Sequence, residues 1–410
     1  MITRQQGVLY CEGVSLLEIA KAYGTPTYVY SAAAIDNNYH RFSQALAGLD
    51  AMIGYAVKAN GNINLLSRLV QLGAGFDIVS MGELFRVLRA GGNPKKVIFS
   101  GVGKTKEEIA KALDVGILAF HVESLAELRT IETIAQAKNQ CAAISARLNP
   151  EIEAKTHPYI ATALKESKFG LLEEEALACY QLAQQSPHLH PLGLAVHIGS
   201  QISDMEPFED AFDKMLTFVD QLAQMGIALS YIDLGGGYGI RYEEEQTPFA
   251  PERFFPKFAR QLRQHHLKLI IEPGRSIVGS AGLLLTQVLY VKPRDKTDFA
   301  IVDAGMNDFM RPALYGAYHD IEAVMENQSV VRRYTIVGPI CESSDVLGKD
   351  RMLALKEGDF LAIKDAGAYG MSMASHYNTR PKPAEILVDG STVSMIRRRD
   401  NLEEILAPEL

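Results

Sequence analysis

From about residue 51 to residue 272 the chain alternates short apolar runs with amphipathic helical patterns, and this rhythm restricts its folding more than any other feature. Strand candidates fall at 51–58, 74–79, 97–100, 117–122, 143–148, 193–198, 230–235 and 268–272. Helical periodicity fills 61–72, 82–91, 105–114, 124–138, 173–185 and 206–225. The strands are continuous apolar runs, as required when both faces of a parallel sheet are covered. Strand then helix, repeated about eight times, predicts a (β/α)8 barrel over 31–276. A doubly wound open sheet is the competing topology.

Beyond Ile277 the rhythm changes. Strand-like runs at 287–291, 299–302, 334–337, 360–363 and 385–388 are separated by turns, without a regular series of long helices. Asp389-Gly390 between two such runs is a hairpin signal. Residues 277–410 therefore read as a C-terminal antiparallel β domain, a sandwich or a barrel. Residues 1–30, with strand-like pieces at 7–10 and 27–30 around a short helix, are expected to join it. A chain of 410 residues has room for both domains.

Composition narrows the class of partner. The net charge is −8 and no basic stripe appears, which argues against nucleic acid as a main partner. The first residues, Met1 to Gln6, carry no apolar signal core, and the apolar run 277–291 is broken by Gly279, Ser280, Gly282, Thr286 and Gln287. Cys11, Cys141, Cys179 and Cys341 are scattered without metal-ligand spacing, so no metal site is expected and a reducing cytoplasm suits them. The expectation is a cytoplasmic protein without a membrane span that handles a small molecule.

A barrel carries its chemistry at the C-terminal ends of its strands. Here those ends hold Lys58, Asp77, Ser80, Ser100, His121, Glu123, Arg147, His197, Ser200, Gly235 to Gly237, and Glu272 to Arg275. A lysine between apolar walls and a polar opening is a candidate amine nucleophile toward an aldehyde, the alternative being a head that snorkels to solvent. Gly235, Gly236 and Gly237 offer backbone N–H groups with no Cβ in the way, a nest for an anion or else a tight turn. The dinucleotide spacing is missing, so a single phosphate fits better than a nucleotide, with Ser200 able to add a hydroxyl. Glu272 and Arg275 could form a structural pair; alternatively Glu272 faces a cationic heterocycle while Arg275 grips a carboxylate. His197 could be a core residue or stack on a flat cofactor. The polar connection 151–170 reads as a lid over the active side.

Six stretches together resemble a known family: Tyr55-Ala56-Val57-Lys58-Ala59-Asn60, His197-Ile198-Gly199-Ser200-Gln201, Gly235-Gly236-Gly237, Glu272-Pro273-Gly274-Arg275, Cys341-Glu342-Ser343-Ser344-Asp345 and Gly367-Ala368-Tyr369-Gly370. They are similar to the motifs of the fold-type III pyridoxal-phosphate decarboxylases, in order from about Gly7 to Leu406. Cys341-Glu342 and the stretch from Arg311 to Tyr315 point to the branch acting on diaminopimelate. The resemblance implies decarboxylation of meso-2,6-diaminopimelate to L-lysine and carbon dioxide with pyridoxal 5'-phosphate, the last step of lysine biosynthesis.

It also implies roles. Lys58 would hold the cofactor as an internal Schiff base; Ser200, Gly235, Gly236, Gly237 and Gly274 would cradle its phosphate; His197 would stack on its ring and Glu272 would face the ring nitrogen. Arg275, Arg311 and Tyr315 would hold the far carboxylate of the substrate, Glu342 its ammonium, and Tyr369 would close over cofactor and substrate. Cys341 is the candidate proton donor, weighed against a water or Lys58. In this family Cys341 and Glu342 come from the partner subunit, so a homodimer is implied. Rival readings are a sibling decarboxylase for ornithine, arginine, lysine, carboxynorspermidine or a D-amino acid, a non-catalytic binding homologue, and a phosphosugar barrel enzyme with a cofactor-free Schiff-base lysine.

Overall fold

The computed structural model describes residues 2–152 and 167–410. The chain divides into two compact units: Tyr39–Ile240 with Thr247–Gly274, and Met1–Asn38 with Arg241–Gln246 and Arg275–Leu410. The short piece Arg241–Gln246, inside the span expected for the barrel, belongs to the second of these.

The first unit is a closed parallel barrel. Its strands are β1 (Ala51–Ala56), β2 (Gly75–Ile78), β3 (Val97–Phe99), β4 (Ala119–Val122), β5 (Ala142–Arg147), β6 (Leu189–Ala195), β7 (Tyr231–Asp233) and β8 (Lys268–Ile271). Each pairs in parallel with the next, and β8 closes onto β1. All eight expected strands form, and the open-sheet alternative does not. Met52, Ile98, Ala119, Tyr231 and Ile270 fill part of the interior as a buried cluster. Gly193 on β6 makes room there, since a Cβ would lie 2.3 Å from the Tyr231 ring.

The helices that follow the strands start where their sequences provide caps. Asn62, Ser80, Thr105 and Ser124 each accept a hydrogen bond from a first-turn amide, and Glu108 completes a capping box with Thr105. In the helix Ile63–Gln71, Leu65, Leu66 and Leu69 are buried on one stripe. Each contributes about 1.5–3 kcal/mol by leaving water. The long helix Glu206–Gln224 buries Phe208 and Phe212. Tyr238, just past the glycine run, stacks on Phe208 at 5.0 Å and packs on Phe249 at 4.8 Å, which anchors the glycine loop in an aromatic cluster.

The second unit is a mixed β domain. Its main sheet runs in the order Val346–Leu353, Arg332–Val337, Asp298–Val302, Gly282–Lys292, Thr27–Ser31, Ala384–Asp389, Thr392–Arg397. Most pairings are antiparallel, as the turn-rich sequence indicates. Two are parallel, Asp298–Val302 with Arg332–Val337 and Ala384–Asp389 with Thr27–Ser31, because these neighbours are not joined by hairpins. The Asp389-Gly390 hairpin forms, with Gly390 at φ +62° where a side chain would be strained. The N-terminal strand Thr27–Ser31 lies inside the sheet, and Ile2–Gln5, Val8–Cys11 and Val14–Ser15 make a small sheet of their own. Leu9, Ile19, Val29, Leu283, Leu285, Ile386 and Val388 form the domain's core.

Candidate active site

In the barrel unit the strand ends converge on Lys58. A 3-10 turn over Val57–Ala59 follows β1 and carries it. Gly274 lets the chain after β8 press on this turn, as a Cβ would meet that of Ala59 at 2.9 Å and that of Ala56 at 3.1 Å. Lys58 is not sealed among apolar walls. Its Nζ donates to Asp77 Oδ2 at 2.9 Å, with the lysine side chain 36% exposed and the aspartate fully buried.

Around this pair lie further acids. Glu272 directly follows β8, Asp233 ends β7 and His121 sits on β4. His121 Nδ1 is 3.2 Å from Ser100 Oγ and 3.7 Å from Glu272 Oε1, and its Nε2 is 3.8 Å from Asp233 Oδ2. Burial, then the charges of Asp233 and Asp77, hold the Glu272 carboxyl well above the usual range; burial also raises Asp233. Asp77 Oδ1 is buried with no hydrogen-bond partner, and the Asp233 and Glu272 carboxyls share a side-chain hydrogen bond, for which one of them must carry a proton. Burial, reinforced by nearby cations including Arg147 and Lys58, pushes His121 and His197 well below the ordinary imidazole value, so both are neutral. Lys58, Ser100, His121, Arg147, His197 and Glu272 line a cavity of about 410 Å³.

The glycine run is tightly built in. Gly235 and Gly237 have φ of +68° and +98°. A Cβ at Gly236 would lie 2.2 Å from the Glu272 carbonyl oxygen, and one at Gly237 would lie 2.2 Å from that of Gly199. The nest is less open than the sequence suggests. The Gly235 amide donates to Asp233 Oδ1 at 2.7 Å and the Gly236 amide to His197 Nδ1 at 3.2 Å. Ser200 is half-buried in the turn after β6.

Other strand-end residues are structural. Ser80 caps a helix. Glu123 pairs with Arg147 at 2.8 Å and accepts from the Gly101 and Gly170 amides. The lid expected over 151–170 falls mostly on residues 153–166, outside the described residues.

The β unit holds the second group. Arg275 and Arg311 are buried, and both donate to the Tyr242 hydroxyl, at 2.7 and 2.8 Å. The Tyr369 ring lies 5.0 Å from the Arg275 guanidinium, on a backbone held at φ +55°. Tyr315 is one turn after Arg311 on the helix Arg311–Tyr315, half-buried. Cys341 and Glu342 are exposed, and Glu342 accepts from the Tyr377 hydroxyl. Asp345 pins their loop from inside by accepting from the amides of Ile340 and Met306 at 2.7 and 2.6 Å.

Sequence reasoning missed three residues: Asp233, Tyr242 and His319. Asp233 had a signal, an acid at a strand end beside the glycine run. Tyr242 and His319 had none, since each sits in an irregular polar stretch.

A family model described as "Pyridoxal-dependent decarboxylase, pyridoxal binding domain" matches residues 32–279. The diaminopimelate decarboxylase of Pseudomonas aeruginosa is 51% identical over 401 residues, 98% of this chain and 96% of that protein. The one from Neisseria meningitidis serogroup B is 49% identical, over 98% of this chain and 97% of that protein. Among solved structures, the Helicobacter pylori diaminopimelate decarboxylase complexed with L-lysine superposes with a TM-score of 0.92 at 44% identity, covering 96% of this chain and 98% of that one. The M. jannaschii enzyme in co-complex with L-lysine gives a TM-score of 0.95 at 37% identity, covering 100% and 98%. With the motifs in order and the likeness running over nearly the whole chain, the chain belongs to the pyridoxal-dependent decarboxylases, in the diaminopimelate decarboxylase family.

Proposed function

We propose that this chain decarboxylates meso-2,6-diaminopimelate to L-lysine and carbon dioxide, with pyridoxal 5'-phosphate held at Lys58. The observation that carries this reading is the knot of buried carboxyls, Asp77, Asp233 and Glu272, packed together beside Lys58 with burial raising Asp233 and Glu272. Net negative charge in such a place is costly unless a cation joins it. A protonated ring nitrogen opposite Glu272 is such a cation, so these residues fit the cofactor. Ser200, Gly235, Gly236, Gly237 and Gly274 would hold its phosphate, in place of the bonds by which the Gly235 and Gly236 amides now donate to Asp233 and His197.

When bound, pyridoxal phosphate supplies an electron-withdrawing ring that takes up the pair left as carbon dioxide departs. The chain's own residues bind, orient and move protons. Lys58 Nζ would hold the cofactor and would release it to the substrate amine. Glu272 would keep a proton on the ring nitrogen, and neutral His197 would lie against the ring without competing for that proton. Arg275, Arg311 and Tyr315 hold the carboxylate of the substrate's far amino-acid head, and Glu342 its ammonium. Tyr369 covers cofactor and substrate. Cys341 Sγ returns a proton to the carbon that lost carbon dioxide. Cys341 and Glu342 serve a second copy of the chain, which their exposure allows, so the active form is a homodimer. The cytoplasm is its compartment; no helix among the described residues is long and apolar enough to cross a membrane.

The test is the absorption spectrum of the purified protein, followed by product analysis with meso-diaminopimelate. Expected are a visible band that borohydride bleaches, a label on Lys58, and L-lysine with carbon dioxide in equal amounts. A protein still colourless after added pyridoxal phosphate rejects the cofactor. A coloured protein that leaves diaminopimelate untouched rejects the substrate.

A further inference from the structure

We propose that His319 is a positioning residue for substrate selection: as a neutral acceptor it aims the Arg311 guanidinium while leaving that charge uncompensated for a ligand carboxylate. The proposal rests on the reading of Arg311 as a carboxylate holder. His319 is fully buried, and its ring meets Tyr242 edge-on at 5.0 Å and Phe309 edge-on at 4.6 Å, so it has little rotational freedom. Its Nδ1 lies 2.8 Å from the Lys364 carbonyl oxygen. A carbonyl only accepts, so Nδ1 carries the proton and Nε2 presents its lone pair. That lone pair receives Arg311 NH1 at 2.8 Å.

The geometry of Arg311 follows. The two protons of NH1 go to His319 Nε2 and to the Tyr242 hydroxyl, both at 2.8 Å, which fixes the guanidinium plane. Its Nε is buried and has no hydrogen-bond partner. The edge opposite NH1 is the one that can take a carboxylate at two points. Among the described residues no acid forms an ion pair with Arg311; the Asp365 carboxyl feels its charge only from a distance. Burial, then the Arg311 charge, holds His319 well below the ordinary imidazole value, which keeps the acceptor neutral. An acid in the same place would pair with Arg311 internally, and a ligand would have to break that pair to bind.

The experiment compares L-lysine, which carries the amino-acid head, with cadaverine, which lacks its carboxylate, as ligands of the holoenzyme in calorimetric titration. The wild type is expected to prefer L-lysine by about tenfold or more, the value of one charged hydrogen-bonded contact. His319→Glu should erase that preference and raise KM for diaminopimelate by more than it lowers kcat. His319→Gln, whose amide oxygen can accept, should restore L-lysine binding to within about threefold. If His319→Glu does not fold, His319→Leu against His319→Gln decides: loss in the first with retention in the second supports the role, and equal binding overturns it. A His319→Glu enzyme that keeps its L-lysine preference also overturns it. A wild type that neither prefers L-lysine nor acts on diaminopimelate instead brings down the functional reading beneath it.

Discussion

The barrel unit buries carboxylates around a lysine, and the β unit buries guanidiniums around a tyrosine. In the barrel, Asp77, Asp233 and Glu272 are buried near one another, and Lys58 pairs with Asp77. In the β unit, Arg311 has neutral acceptors, the Tyr242 hydroxyl and the His319 imidazole. Unpaired buried charge costs several kcal/mol per ion unless something completes it. The first cluster is short of positive charge and the second of negative charge; under the proposed function the first would take a cationic ring and the second a carboxylate.

The largest effect should come from removing the lysine paired with Asp77 in the barrel cluster. Lys58→Ala is expected to lower kcat by at least about 10³-fold and to abolish the borohydride-bleachable band, read by steady-state assay and spectrum. If Glu272 faces the ring nitrogen as proposed, Glu272→Gln removes that charge and should cost about 10²-fold in kcat with the cofactor still retained. A Glu272→Gln enzyme of normal kcat would mean that the carboxylate knot is structural. In the β unit the loss should fall on binding: Arg311→Met should raise KM for diaminopimelate by about 10- to 100-fold, the worth of a charged hydrogen bond. If kcat falls instead while KM holds, the two clusters do not divide the work as described.

Smaller effects concern stability. Gly236→Ala should cost about 1–3 kcal/mol in denaturant unfolding, since its Cβ would lie 2.2 Å from the Glu272 carbonyl oxygen. The pH response should also separate the clusters. Burial raises the carboxyls of Glu272 and Asp233, and pushes Glu83 up to about 7, so the folded chain keeps protons that the unfolded chain has released. Stability from these groups is full below the ordinary carboxylate range and is lost as pH rises toward about 7. The cofactor-free protein should melt a few degrees lower at about pH 8 than at about pH 5.5, and pyridoxal phosphate should narrow the gap. A gap that the cofactor leaves unchanged would break the reading of the barrel cluster as completed by a cation.

Much of the barrel was legible because both faces of its strands are buried, which writes them as unbroken apolar runs. Asp389-Gly390 marked its hairpin for a similarly local reason, the positive φ at Gly390. The parallel pairing of Thr27–Ser31 with Ala384–Asp389 left no such trace, since partners more than 350 residues apart share no local pattern. Within the site, the motif residues Lys58, Glu272 and Gly235 to Gly237 stood out by position at strand ends. The surroundings of Lys58 did not: a lysine between apolar walls and a polar opening, or one snorkelling to solvent, was expected, and an ion pair with buried Asp77 is present.

The sequence by itself therefore determined the order of elements, the barrel, and which residue types stand at its strand ends, because periodicity, capping and turn chemistry are local. Only the tertiary structure decided which of those residues share charge. It turned Glu123 and Arg147 into a structural pair, gathered Asp77, Asp233 and Glu272, and brought His319 and Tyr242 onto Arg311. Electrostatic energy depends on separation in space and on burial, and neither is written in the spacing of residues along the chain.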